Sequence, residues 1–372
     1  MNNRERTLAV LNYQDYDRLP LVHFGYWHET LAKWADEGHI THEEAPNWGD
    51  GNDIDKAIAK KLGFDFDWAV KVGSYTDITP TFERKVVEEM PDGSRKVVDP
   101  HGVIILEKDD AGSIPMEFDH LLKGRKEWEE YFLPRLQFTP DRVWFGEKEK
   151  AMLEVENPAD IRGIHVGSLF GMIRNWLGLE GTAYLQADDP ELFDEIINTV
   201  GELSYKCAEA ALKISNALDY AHFWEDICFK SGPLINPRVF EKKIGPHYKR
   251  ITDLLNANGI HLVSLDCDGK IDELVPIWLK NGVNTMFPME VGTWNASIKP
   301  WREQYGRELR GIGGMDKKVF AYDYAAIDAE IERLKPLVAL GGYIPCPDHR
   351  IAPDAKWENV QYYCEKMRNA FG

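Results

Sequence analysis

Three short stretches concentrate the side chains able to move protons or hold a cation. His222-Phe223-Trp224-Glu225-Asp226 ends an apolar run with two adjacent carboxylates. Ser264-Leu265-Asp266-Cys267-Asp268-Gly269 sets two carboxylates one residue apart, ahead of a glycine. Alternate residues of an extended segment share a face, so Asp266 and Asp268 are expected side by side, and Gly269 lets the chain turn close to a ligand. Tyr343-Ile344-Pro345-Cys346-Pro347-Asp348-His349-Arg350 brings a histidine into a loop stiffened by prolines. Imidazole is the side chain best matched to proton exchange near neutral pH. Together these groups suit acid–base transfer, oxygen-rich metal coordination or the gripping of a substrate hydroxyl or amine. Glu225, Asp268 and His349 are therefore the candidate catalytic residues, and the same three are the candidate metal ligands. Competing structural roles are solvated charges or a Lys230 partner for Glu225 and Asp226, and a helix cap near Lys270 for Asp268.

Such groups must be positioned by a scaffold. The chain repeats a short apolar or β-branched run followed by a helical pattern, the rhythm of βα units on a parallel sheet. Eight runs are expected as strands: Pro20–Tyr26, Phe66–Val72, Ile164–Phe170, Leu218–Asp226, Ile260–Asp266, Asn284–Glu290, Leu309–Met315 and Gly342–Cys346. Helices are expected from Pro190 to Ile214 and from Pro237 to Asn256, the latter opened by Asn236-Pro237 and closed by Asn258-Gly259. Eight βα units predict an α/β fold, a (β/α)8 or TIM barrel, as one domain spanning residues 1–372. Between residues 81 and 108, two alternating runs around Pro91-Asp92-Gly93-Ser94 predict a β-hairpin inserted after the second strand. Trp128, Tyr131, Phe132, Trp144 and Phe145 beyond it are expected as lid or packing residues.

In such barrels the chemistry sits at the C-terminal ends of the strands. The three stretches above end the fourth, fifth and eighth runs. His23 and His165, inside the first and third, are expected to face the mouth, and Asp266 to help bind substrate. Phe24, Tyr26, Trp27, Trp68, Phe223 and Trp224 are expected around it, as substrate contacts or as barrel packing. Gly311-Ile312-Gly313-Gly314-Met315-Asp316 has the look of a phosphate-binding turn or of a close backbone approach. Motifs of zinc proteases, nucleophile elbows, dinucleotide folds and Walker loops are absent.

Composition narrows the classes. A net charge of −18 without clustered Lys and Arg argues against nucleic acid. No apolar run reaches the roughly 18 to 20 residues of a membrane span. The charged N-terminus is unlike a signal peptide, and five scattered cysteines without a CxxC pair read as reduced thiols, so a cytoplasmic enzyme is expected.

Taken in order, the strand ends resemble the uroporphyrinogen decarboxylase superfamily. The likeness rests on Arg4-Glu5-Arg6 through Leu11-Asn12-Tyr13-Gln14, Asp17-Arg18-Leu19-Pro20, Trp224-Glu225-Asp226, Asp268-Gly269, Gly311 to Asp316, and Gly341-Gly342-Tyr343-Ile344. The resemblance implies one of two chemistries. Decarboxylases of the superfamily carry an Arg-rich motif for a polycarboxylate tetrapyrrole, whereas this chain has His23-Phe24-Gly25-Tyr26-Trp27-His28-Glu29. Asp67, matching the aspartate that holds pyrrole N–H groups, and His349 keep that branch as the alternative. The other branch comprises corrinoid-dependent methyltransferases. Its thiol-methylating members hold zinc through His-x-Cys and a further Cys, and Asp266-x-Asp268 with His349 departs from that set. Zinc at this site is accordingly a minor expectation. The favoured expectation is O-demethylation of a small O-methyl compound, with aromatic methyl ethers among the candidates. The methyl would pass to a corrinoid (cobalamin) on a partner protein, with His23, Phe24, Tyr26, Asp67, His165, Phe223 and Asp266 contacting substrate. A homodimer is an allowed assembly, and a binding protein without activity is a third reading.

Overall fold

The first helix shows how local sequence starts these elements. Asn2 accepts from the Glu5 amide, and the Glu5 side chain accepts from the Asn2 amide, a reciprocal cap ahead of Asn3–Leu11. Helix Pro190–Ile214 begins as expected, with Pro190 in its first turn and the Asp189 carboxylate on the Leu192 amide. It buries Leu192, Ile196, Val200, Leu203 and Cys207 along one stripe. The Pro237–Asn256 expectation is met by helical turns running on to Ala257, opened by the Asn236 side chain on the Arg238 amide.

The computed structural model describes residues 1–68, 72–108, 116–143 and 145–372. Trp144 and the middle of the second expected strand lie outside them. The strands are β1 (Val22–His23), β2 (Phe66–Asp67), β3 (Val72–Gly73), β4 (Lys85–Glu89), β5 (Arg95–Val98), β6 (Val103–Glu107), β7 (Met116–His120), β8 (Gly163–His165), β9 (Tyr220–Trp224), β10 (Cys228–Phe229), β11 (Gly232–Pro233), β12 (Leu262–Asp266), β13 (Thr285–Met289), β14 (Arg310–Met315) and β15 (Tyr343–Pro347). The central sheet is parallel in the order β15-β14-β13-β12-β9-β8-β3, and β1 pairs with β2 in parallel. Beyond β15, Ile351 bridges Tyr26 in parallel, and the Ile351 amide donates to Gly25. Helices cover the sheet, which is why its strands read as near-continuous apolar runs. No described helix is long and apolar enough to cross a membrane.

The segment after β3 is larger than the hairpin expected over 81–108. Strands β4 to β7 make a four-stranded antiparallel sheet in sequential order, reaching His120. Of the aromatic residues beyond it, Trp128, Phe132 and Phe145 are buried and pack the core, while Tyr131 is exposed.

Register places the chemistry. Asp266 lies opposite Trp224 and Met315 opposite Pro347, so β9 ends level with β12 and β14 with β15, while Asp266 opposite Phe287 and Met289 opposite Gly313 step the ends on by two residues at β13 and again at β14. The residues that follow, 225–226, 267–268, 290, 316 and 348–349, therefore emerge along one edge. The Gly-rich end of β14 is no phosphate turn. A Cβ on Gly313 would lie 2.5 Å from the Met289 nitrogen and one on Gly314 2.4 Å from the Tyr343 hydroxyl, so both glycines serve close packing within the sheet.

Candidate functional site

Three carboxylates meet where β9 and β12 end. Asp226, Asp266 and Asp268 each offer an oxygen, and these oxygens lie within 4.8 Å of one another. Asp266 and Asp268 share a face by strand alternation, as their spacing predicts. Asp226 joins them through its backbone, which takes φ 47°, a left-handed conformation that Asp tolerates better than most residues with a Cβ. The Asp268 amide, donating to Asp226 Oδ1 at 3.0 Å, holds that turn. His349 closes the group, its Nε2 at 3.2 Å from Asp268 Oδ2. The ring lies parallel to Trp27 at 5.4 Å between centroids and edge-on to Phe24 at the same distance. His349 Nδ1 and Asp268 Oδ1 are buried without a protein partner.

Burial, helped by neighbouring charges, makes Asp226, Asp266 and Glu290 retain protons. Burial, then the Asp268 charge, pushes the Asp226 carboxyl up to about 7. Burial and the neighbouring Asp226 and Asp268 charges raise Asp266 likewise. Glu290, after β13, is raised by burial and by Asp268 while it accepts from the Gly269 amide and the Thr293 hydroxyl. Beneath them His222 shares a hydrogen bond between Nδ1 and the Ser264 hydroxyl at 2.7 Å and faces Asp266 Oδ2 from 4.0 Å with Nε2. Burial lowers His222 to about 3 and His165, 6.3 Å away between ring centroids, to about 4, so both are neutral at pH 7.

The loop carrying His349 is clamped on three sides. The buried Asp348 carboxylate accepts from the Gly292 amide at 2.8 Å and the Lys317 amide at 3.3 Å. Lys317 Nζ donates to the Arg350 carbonyl at 2.9 Å, and Arg350 forms a two-point ion pair with Asp50. Burial lowers the Lys317 amine, and the facing Asp348, Asp268 and Glu290 charges oppose that shift.

Glu225 does not face the mouth, which corrects its assignment as a catalytic residue or metal ligand. Its side chain is fully buried, and its oxygens accept from the amides of Leu169 (2.8 Å), Phe170 (2.9 Å) and Gly171 (2.7 Å) and from the Ser168 and Tyr248 hydroxyls. These amides open helix Gly171–Asp188, so Glu225 caps a helix N-terminus. Gly171 has no alternative at this contact, since a Cβ there would lie 2.1 Å from the Glu225 carbonyl oxygen. Phe223 is also corrected: it is buried outward against Tyr248, with centroids 4.9 Å apart.

The remaining expected residues form a separate group on β1 and β2. His23 pairs in register with Asp67, accepts from the Gly25 amide on Nδ1 and places Nε2 3.7 Å from Asp55. Tyr26 is buried among His23, Trp34 and Trp48, which makes it packing. Asp67 is buried near Asp55 and Tyr220, whose ionisation it opposes. Phe24 and, beyond β1, Trp27 are the residues of this run that reach His349. Of the residues expected from sequence, the structure thus brings together Asp266, Asp268, His349, Phe24 and Trp27. Sequence reading missed Asp226, His222 and Glu290, of which the adjacency of Asp226 to Glu225 was the one available signal.

The donor set decides what metal would fit. Cys267, between Asp266 and Asp268, and Cys346, three residues before His349, are buried with their thiols pushed up by burial. Cys267 Sγ takes the Ile227 amide instead of joining the carboxylates. A thiolate zinc site does not fit. Asp226, Asp266 and Asp268, with His349 beside them, would suit a harder divalent cation.

Comparison with known proteins gives a fold. A methyltransferase from Methanosarcina mazei superposes with a TM-score of 0.58 over 99% of this chain and 98% of its own, at 14% identity. The likeness is one of architecture. B12-independent methionine synthases from Listeria monocytogenes (putative) and Shewanella sp. align over 96% and 95% of this chain and 100% and 98% of their own, at 14% and 11% identity, with TM-scores of 0.43 and 0.46. No protein-family model matches the chain, and no curated protein matches it in sequence.

Proposed function

We propose that this chain is a cytoplasmic, corrinoid-dependent methyltransferase of the uroporphyrinogen decarboxylase superfamily, acting on a small O-methyl compound, an aromatic methyl ether by preference. The same reading closes the parallel strands into a single-domain eight-stranded barrel through the Tyr26–Ile351 bridge. The supporting observation is the proton-retaining carboxylate cluster joined to His349 under aromatic faces.

A methyl ether needs one proton delivered. When the C–O bond breaks, its electron pair stays on oxygen, which is a poor leaving group unless protonated. A corrinoid on a separate protein, the methyl acceptor, supplies the electron pair of the new bond to carbon. His349 or the Asp226–Asp268 pair gives the leaving oxygen its proton, and the neighbouring carboxyl groups replenish it. Phe24 and Trp27 offer ring faces to an aromatic donor. Catalytic roles fall to Asp268, His349 and Asp226, with Asp266 and Phe24 binding substrate. Tetrapyrrole decarboxylation is less well served, because an acidic mouth repels a polycarboxylate.

The test is incubation with reduced corrinoid and a panel of methoxylated aromatics and methylamines, following the absorbance of methylated corrinoid. Transfer from an aromatic ether supports the proposal. No transfer from any donor, together with CO2 release from uroporphyrinogen III, overturns it. Elemental analysis of active protein decides whether the carboxylates also hold a divalent cation.

A further inference from the structure

Three guanidinium groups gather at the opposite end of the parallel sheet, where the strands begin. Arg302, Arg307 and Arg310 lie over the Tyr13 ring, 4.8, 5.1 and 5.6 Å from its centroid. Arg310 opens β14 and Asn284 directly precedes β13, so the cluster faces away from the carboxylate edge. In a chain of net charge −18, counter-ions are abundant. Yet among the described residues none of the three forms an ion pair, although Arg4, Arg6, Arg18, Arg250, Arg333 and Arg350 all do. The adjoining Glu308 pairs with none of them either.

A purely structural role covers part of this arrangement. Arg302 donates to the carbonyls of Leu309, Leu340 and Gly341, and Arg310 to those of Leu11 and Glu308, which ties loops together. Arg302 Nε is buried without an acceptor, and the Arg307 side chain makes no hydrogen bond among the described residues. A third like charge brought onto one ring raises the electrostatic energy of the empty site, and a Tyr face offsets only a fraction of that. Burial lowers the pKa of Arg302 and Arg310, and the repulsion between them adds to it at Arg310. Beside the cluster is a cavity of about 530 Å³, lined by Arg307, Arg310, Asn256, Gly282, Asn284 and Glu308. That volume is in the range of small-ligand sites.

We propose that this cavity binds a small multivalent oxyanion, bearing phosphate or several carboxylates, through the guanidinium fork of Arg307 and the Nη2 group of Arg310, with the Arg302 charge behind them. Planar guanidinium groups match such anions two oxygens at a time. The site lies apart from the mouth and does not rest on the methyl-transfer reading.

Isothermal titration calorimetry on the full chain at low ionic strength tests it, with inorganic pyrophosphate in one arm and citrate in the other. Saturable 1:1 binding of at least one anion is expected, and the arm that binds identifies the oxyanion. Arg307→Ala should weaken that binding at least tenfold with the melting temperature retained. Arg238→Ala, which removes an exposed arginine elsewhere, should leave binding unchanged. No saturable binding in either arm, or equal affinity in wild type and Arg307→Ala, overturns the proposal.

Discussion

Asp268 and His349 carry the proposed chemistry through one contact, and both are partly exposed, so each can be changed without emptying the core. Asp268→Asn and His349→Gln are expected to lower kcat for methyl transfer by roughly 10²- to 10⁴-fold, the usual worth of a positioned proton donor. Folding, followed by circular dichroism, should stay intact; full activity in both variants would remove them from the site. Asp226 makes a different prediction, because its carboxyl moves from 3.8 to about 7 on folding. Between those values the folded chain holds a proton that the unfolded chain has released. Stability from this group is thus complete at low pH and falls as pH rises through the window, by about 1.4 kcal/mol per pH unit for one proton. Asp226→Asn keeps an acceptor for the Asp268 amide and removes the charge. Urea unfolding with a chelator present should show the variant near wild type at pH 4 and more stable by roughly 2 to 4 kcal/mol at pH 8. Parallel stability curves would refute the shift.

At the scale of elements, the decisive event is how β9 ends. Alternation correctly brought Asp266 and Asp268 to one side of β12, but the same rule at Glu225-Asp226 chose the wrong carboxylate. The left-handed turn at Asp226 and the capture of Glu225 by three amides of a distant segment are tertiary outcomes that no local pattern encodes. Helices 190–214 and 237–257 were legible because cap, proline and apolar stripe agree within each of them. His222 was hidden for another reason. A histidine inside an apolar strand carries no sign of which neighbour it will meet. If Glu225 is a cap, Glu225→Gln turns one acceptor into a donor against backbone N–H groups and should cost about 2 to 4 kcal/mol of stability in urea unfolding. Tyr248→Phe, which removes one donor to the same carboxylate, should cost about 1 to 3 kcal/mol. A Glu225→Gln protein of wild-type stability without activity would return Glu225 to the catalytic set.

For the whole molecule, charge selects the substrate. The chain carries −18, and its mouth gathers five of those acidic residues, Asp226, Asp266, Asp268, Glu290 and Asp348, along one edge, with Arg174, Lys317 and Arg350 as nearby cations. Field lines of one sign concentrate in such a cleft, so an anionic donor meets repulsion before it meets any contact. Proton retention softens this at the cluster without reversing its sign. A methoxylated benzoate should therefore bind at least about tenfold more weakly than the matching benzamide, a gap of about 1.4 kcal/mol. Because the repulsion acts partly through solvent, the gap should shrink when salt shortens the screening length to about 3 Å near 1 M. Equilibrium binding of the two compounds at low and high salt provides the check. Tighter binding of the benzoate at low salt would mean that a cation governs the mouth, and would move the chain toward the carboxylate-binding branch of its fold.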